Sequence, residues 1–118
     1  MKRKRIEKFL SDCPIFSIEG LEAVYLDGLI ESDKAGPSGS NGGKILTGKI
    51  MHSVAVPHSL PQVYLCMDRS GAVWFLNLYT SREYLRNNTI VHVLEPRLRQ
   101  NDGFISISVD NPKQMKIS

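Results

Sequence analysis

Two cysteines in 118 residues, Cys13 and Cys66, are too few and too far apart for a disulfide scaffold or a cysteine metal site. Both therefore read as reduced thiols. Histidine is equally sparse: His52, His58 and His92 have no Cys or His partner at ligand spacing, and no Ser or Cys stands in the setting of an activated nucleophile. Gly42 and Gly43 are no phosphate loop, because the Lys-Ser/Thr ending and the helix that should follow it are missing. No catalytic residue, metal ligand or cofactor is expected, which leaves binding and scaffolding roles. No run approaches the roughly 18 apolar residues of a membrane span. The opening MKRKRIEKFL also lacks the apolar stretch and small-residue cleavage site of a secretory signal. The expectation is an intracellular chain with no membrane partner.

Charge of one sign is not in excess either. The net +3 divides into +4 over residues 1–10 (five bases, one acid), −5 over 11–43 (one base, six acids) and +4 over 44–118 (nine bases, five acids). This balance does not describe a protein coated in phosphate, but it permits a local basic patch. The basic start, Lys2 to Arg5, reads equally as a nuclear-localisation or nucleic-acid patch and as a solvated helix end.

What is present is enough apolar sequence, 42% hydrophobic, for one small core. KAGPSGSNGGK, Lys34 to Lys44, is too rich in Gly, Ser and Pro to bury apolar surface and is expected to be a mobile loop. It separates a leader over residues 1–33 (a helix end over Arg5 to Leu10, then one or two strands, with Ala23 to Leu26 the strongest) from a domain over 44–118, with 34–43 as the loop. KILTGKIMHSVAV reads as a long strand with Gly48 where a strand bends to close a small barrel. Val63 to Met67 and Val73 to Tyr79 form a hairpin, and TSREYLRNN, with Thr80 and Glu83 at capping-box spacing, predicts one short helix. TIVHVL is a fourth strand, EPRLRQNDG a loop and FISISV a fifth strand. Three strands, a short helix and two strands is the order of an OB-fold, so an all-β five-stranded barrel with a helix/strand leader is expected.

The hairpin is legible residue by residue. Asp-Arg-Ser-Gly allows a three-residue loop with Gly71 in the left-handed region, pairing Asp68 with Ala72. Cys66 then opposes Trp74 and Tyr64 opposes Leu76, so Ala72, Trp74, Leu76 and Leu78 point into the barrel. The opposite face gathers Val63, Leu65, Met67, Val73, Phe75, Asn77 and Tyr79, apolar for an outer surface and without Lys or Arg.

From Ile45 to Pro112 the chain resembles the carboxy-terminal OB-fold domain of the tetratricopeptide repeat protein 5 family. The likeness rests on ILTGKI, Ser53, Leu60-Pro61, MDRSG, the Trp-x-Leu-x-Leu-Tyr pattern from Trp74 to Tyr79, LEPRL at Leu94 to Leu98, and FISISVDNP. Two connections look shorter than in the family, and only MKRKRIEKFL could be the trailing edge of the family's upstream repeat array. The resemblance implies a non-enzymatic adaptor of nuclear and cytoplasmic complexes, linked in the family to histone-acetyltransferase coactivators in stress transcription. The family's nascent-tubulin recognition lies on the repeats and is not carried over.

Two binding readings follow. Val63, Leu65, Met67, Val73, Phe75 and Tyr79 form a candidate protein-interaction surface, covered either by the leader or by a partner. The alternative is single-stranded nucleic acid held by Phe75, Tyr79, Arg97 and Arg99, the two arginines lying on the loop between the fourth and fifth strands. The absence of positive charge on the hairpin face counts against this alternative, since phosphate contacts normally dominate affinity.

Overall fold

Runs in which apolar side chains recur at every second position form the strands of the computed structural model, which describes residues 20–31, 41–54, 60–80 and 84–118. These are β1 (Glu22–Val24), β2 (Lys44–Ser53), β3 (Gln62–Asp68), β4 (Val73–Leu78), β5 (Ile90–Leu94), β6 (Arg97–Asn101), β7 (Phe104–Val109) and β8 (Met115–Ile117). The class is all-β, and 3-10 turns at Leu26–Gly28 and Pro112–Gln114 are the only helical turns among the described residues.

β2 is long enough to serve two neighbours. Ile45 to Lys49 pair with β5, while Gly48 to Ser53 pair with β3 across a bulge between Ile50 and His52. β3 and β4 form the hairpin, and β4 runs parallel to β7. β5 and β6 are separated only by Glu95 and Pro96, with Glu95 in the left-handed region at φ 49°. β5 pairs with β2 and β6 with β7, so this interrupted strand closes the sheet on itself. Taken together as one, β5 and β6 make the expected five-stranded barrel with β2, β3, β4 and β7. Its interior holds Leu46, Ile50, Tyr64, Cys66, Trp74, Leu76, Leu78, Val91, Val93, Leu98, Ile107 and Val109. No helix of the described residues is long and apolar enough to cross a membrane.

The hairpin has the expected register. Gly71 lies at φ 90°, the Asp68 amide donates to Ala72 O at 2.9 Å and the Gly71 amide to Asp68 O at 3.0 Å. Cys66 opposes Trp74 and Tyr64 opposes Leu76. Gly48 meets a second demand besides the bend, because a Cβ there would lie 2.5 Å from Trp74 Cζ2.

Three expectations change and one element is new. The loop assigned to residues 95–103 contains β6, since Leu98 fills the core and the far edge of β7 takes up the backbone of Arg97 to Asn101. The helix assigned to TSREYLRNN does not form over its described part: residues 84–86 are irregular and 87–88 a turn, with Asn88 at φ 72°. There the Leu85 amide donates to the buried Tyr64 hydroxyl at 3.0 Å instead of to a helical carbonyl. Residues 81–83 of that segment, the helix end at 5–10 and residues 34–40 of the Gly-rich loop lie outside the described residues. Asn41, however, is buried, so the end of that loop is anchored. DNP itself opens a capped turn, Pro112–Gln114, in which the Lys113 amide donates to Asn111 Oδ1 and Gln114 Oε1 accepts from the Asn111 amide. It sends the chain into β8 along the edge of β5.

The leader packs into the barrel. β1 runs parallel to Lys44–Leu46, slightly earlier than the expected strand, and Leu26 enters the core. The Leu26 amide donates to Asp68 Oδ2 at 2.7 Å, and Glu31 forms a parallel bridge with Leu98. Residues 20–31 thus lie along β2 and β6.

Candidate functional site

The sheet from β3 through β4 and β7 to β6 has one face in the core, and the register fixes what stands on the other. Leu65 pairs with Phe75, Phe75 with Ser106 and Ser106 with Arg99, giving one row across four strands. The adjacent row is Val63, Asn77, Ser108 and Arg97. Because Leu98 between them is buried, Arg97 and Arg99 both project from the outer face, where both are exposed.

All six residues of the candidate interaction surface share this face. Tyr79 is 48% exposed and Val73 42%, while Val63, Leu65 and Phe75 are half-buried. Met67 is the exception: it is buried between its neighbours Lys49 and Val73, where the sheet is continuous on both sides, and offers a partner little. Phe104, absent from the expected site, is the most exposed large apolar side chain of the face at 61%. Its ring packs on that of Phe75, centroids 5.7 Å apart and planes tilted by 59°, so Phe104 covers Phe75 and presents the outer aromatic surface itself. The signal was present in FISISV: the alternation that buries Ile107 puts Phe104, Ser106 and Ser108 on the other face. Only the parallel pairing of β7 with β4 reveals that this is the face of Phe75.

The arrangement is a shallow platform, aromatic toward Tyr79, Phe75 and Phe104, hydroxyl-bearing along β7 and cationic along β6. It offers stacking surface, short hydrogen-bonding side chains and two guanidinium forks. Acids flank it at the turns, with Asp102 and Asp110 both exposed.

The remaining reactive side chains lie elsewhere. Cys66 is in the core, where burial pushes its thiol far above the usual range and leaves it inert. His52 is exposed at the end of β2, and His58 and Cys13 fall outside the described residues. His92 is buried, its Nδ1 2.8 Å from Thr47 Oγ1 and its Nε2 against Ser118 Oγ, and burial lowers its pKa. Among the described residues no group of three His, Cys, Asp or Glu side chains is placed to hold a metal ion.

A Greek-key barrel closed by a broken fourth strand defines the class of OB-fold domains. Within it the chain belongs to the tetratricopeptide repeat protein 5 OB-fold domain family, which residues 37–118 match. Among solved structures it is similar to a replication protein A heterotrimer bound to single-stranded DNA, with 16% identity, a TM-score of 0.48, and coverage of 64% of this chain and 56% of that chain. It is also similar to the OB domain of Ta0387 from Thermoplasma acidophilum, with 17% identity, a TM-score of 0.49, and coverage of 80% and 83%. No curated protein matches.

Proposed function

We propose that this chain is a non-enzymatic binding module, and that single-stranded nucleic acid is the ligand its outer sheet face supports best. One observation carries the reading: β6 pairs with β7, which sets Arg99 in the same row as Phe75 and Arg97 one row away. Positive charge therefore stands beside the aromatic rings on the very face whose hairpin half has none. Base stacking on an aromatic ring contributes about 1–3 kcal/mol per base, and arginine supplies the phosphate contacts that stacking alone lacks.

Fluorescence anisotropy with labelled single-stranded oligonucleotides across a salt series tests it. Binding weakens as salt rises, and an Arg97→Ala, Arg99→Ala double variant lowers the slope of log K against log salt by about 0.7 per lost contact. A flat titration at low salt rejects the reading.

A second reading follows from the apolar half of the face. Val63, Leu65 and Val73 lie at the β3–β4 end, away from the arginines, and suit a protein partner better than a phosphate backbone. This is the adaptor role implied by the family, exercised in nuclear and cytoplasmic complexes. A Phe75→Ala, Tyr79→Ala double variant then loses the partner in a pull-down while thermal stability changes little. Unfolding of that variant instead assigns both rings to the fold.

A further inference from the structure

Asn41 precedes Gly42 in the only Asn-Gly step of the chain, and its side chain holds the leader to the barrel. The amide docks on Ile30 as a neighbouring backbone would, with Oδ1 accepting from the Ile30 amide at 2.9 Å and Nδ2 donating to Ile30 O at 2.7 Å. The second hydrogen on Nδ2 goes to Pro96 O at 2.9 Å, in the break between β5 and β6. Both donors are thus used, and the residue is 4% exposed. Gly42, with no side chain to shield its nitrogen, is exposed.

We propose that Asn41 is a deamidation site gated by the leader, protected while residues 20–31 are docked and converting their release into an irreversible one once they undock. In the reaction the Gly42 backbone nitrogen attacks Cγ of Asn41 and a new C–N bond forms. The Cγ–Nδ2 bond breaks, and the side-chain nitrogen leaves as ammonia with the proton that Gly42 loses. Water then opens the cyclic imide at either carbonyl, giving aspartate or its β-linked isomer. Nothing is oxidised or reduced, and water is the only co-reactant.

Docking opposes the first step by holding the side-chain amide, and with it Cγ, through three hydrogen bonds of Oδ1 and Nδ2. The product opposes redocking, because two donors become a carboxylate facing two carbonyl oxygens, Ile30 O and Pro96 O, at a buried side chain. The β-linked isomer also adds a backbone methylene just ahead of β2, where the Lys44 amide donates to Asn41 O at 3.2 Å. The substitution is therefore not silent, and one tie on the carbonyl preceding Arg97 is lost with it.

The test follows mass gain at Asn41 by peptide mapping at pH 7.4 and 37 °C in the full chain, in Leu26→Ala, in Leu29→Ala and in a synthetic peptide of residues 38–46. The full chain is expected to deamidate at least about tenfold more slowly than the peptide, since only the open form reacts. Leu26→Ala, and the milder Leu29→Ala if the first does not fold, is expected to raise the rate several-fold toward that of the peptide. In Asn41→Asp, hydrogen exchange at the Ile30 amide is expected to accelerate. A full chain that reacts at the peptide's rate overturns the proposal. So does a rate unchanged in the folded leader variants, or an Ile30 amide as protected in Asn41→Asp as in the parent.

Discussion

A Cβ placed on Gly48 would stand 2.5 Å from Cζ2 of Trp74 and 3.2 Å from its Cε2, so the absent side chain of one residue and the large ring of the other share one volume. Both are buried, one on β2 and one on β4 across the barrel. Gly48→Ala is expected to force the indole off its position at a cost of about 1–3 kcal/mol, read as a fall in the urea midpoint followed by tryptophan fluorescence. Trp74→Phe removes the clashing atoms, so the double variant is expected to be less destabilised than the sum of the singles. Strict additivity would show that the two do not compete for space.

That pair also marks how far the sequence could be read. Trp74 as an inward residue followed from Asp-Arg-Ser-Gly alone, because a three-residue turn with Gly71 left-handed permits one register and the register decides every face. Gly48 was legible as a bend, but not as the cavity for a ring 26 positions later, since sequence separation hides which strands become neighbours. β6 was hidden for a related reason. EPRLRQND carries proline and charge and only Leu98 as apolar content, so its strand character comes from the unpaired edge of β7 and not from propensity. The site was half read in consequence: Phe75, Tyr79, Arg97 and Arg99 were candidates from residue type, while their shared face and the place of Phe104 needed the β4–β7–β6 pairing. Over residues 84–88 the expected helix gives way to a nonlocal hydrogen bond, Leu85 to the Tyr64 hydroxyl, which outweighs the weak intrinsic helicity of a short segment.

Asp68 is the polar joint of the fold. Its Oδ2 accepts from the Leu26 amide, while Oδ1 accepts from the Ser70 amide at 2.9 Å, the Ser70 hydroxyl at 2.5 Å and the Ala72 amide at 3.1 Å. The residue is fully buried. Asp68→Ala leaves these donors without their acceptor and is expected to cost about 2–4 kcal/mol. Hydrogen exchange should show the Leu26 amide opening together with the hairpin turn. Faster exchange at the turn alone would mean that the leader is held by packing rather than by this carboxylate.

His92 ties stability to pH. Burial lowers its folded-state pKa below the usual value near 6.5, so the unfolded chain binds the proton more readily than the fold does. The contribution is therefore complete above about pH 6.5 and is lost as pH falls from there through the lower folded-state value. Urea midpoints at pH 7.5 and 5.0 are expected to differ more in the parent than in His92→Gln, with this one group adding at most about 1.4 kcal/mol per pH unit. Equal pH dependence in both proteins would remove His92 as the source.

Phe104 separates a binding face from ordinary surface. At 61% exposed it has little to lose on truncation, so Phe104→Ala is expected to change stability by no more than about 0.5 kcal/mol. Its ring is the outermost part of the Phe75 pair, and loss of one stacked base there is expected to weaken oligonucleotide binding by about 1–3 kcal/mol, roughly 5- to 150-fold in Kd. Ile117 supplies the comparison: it is 54% exposed but lies on β8, beside β5 and away from the face. Ile117→Ala should leave the titration unchanged. Stacking and charge are further separable by salt, because Phe104→Ala should lower affinity at every ionic strength without altering the slope, whereas the arginine variants flatten it. Binding that survives Phe104→Ala but falls with Ile117→Ala would move the interface to the β5–β8 edge.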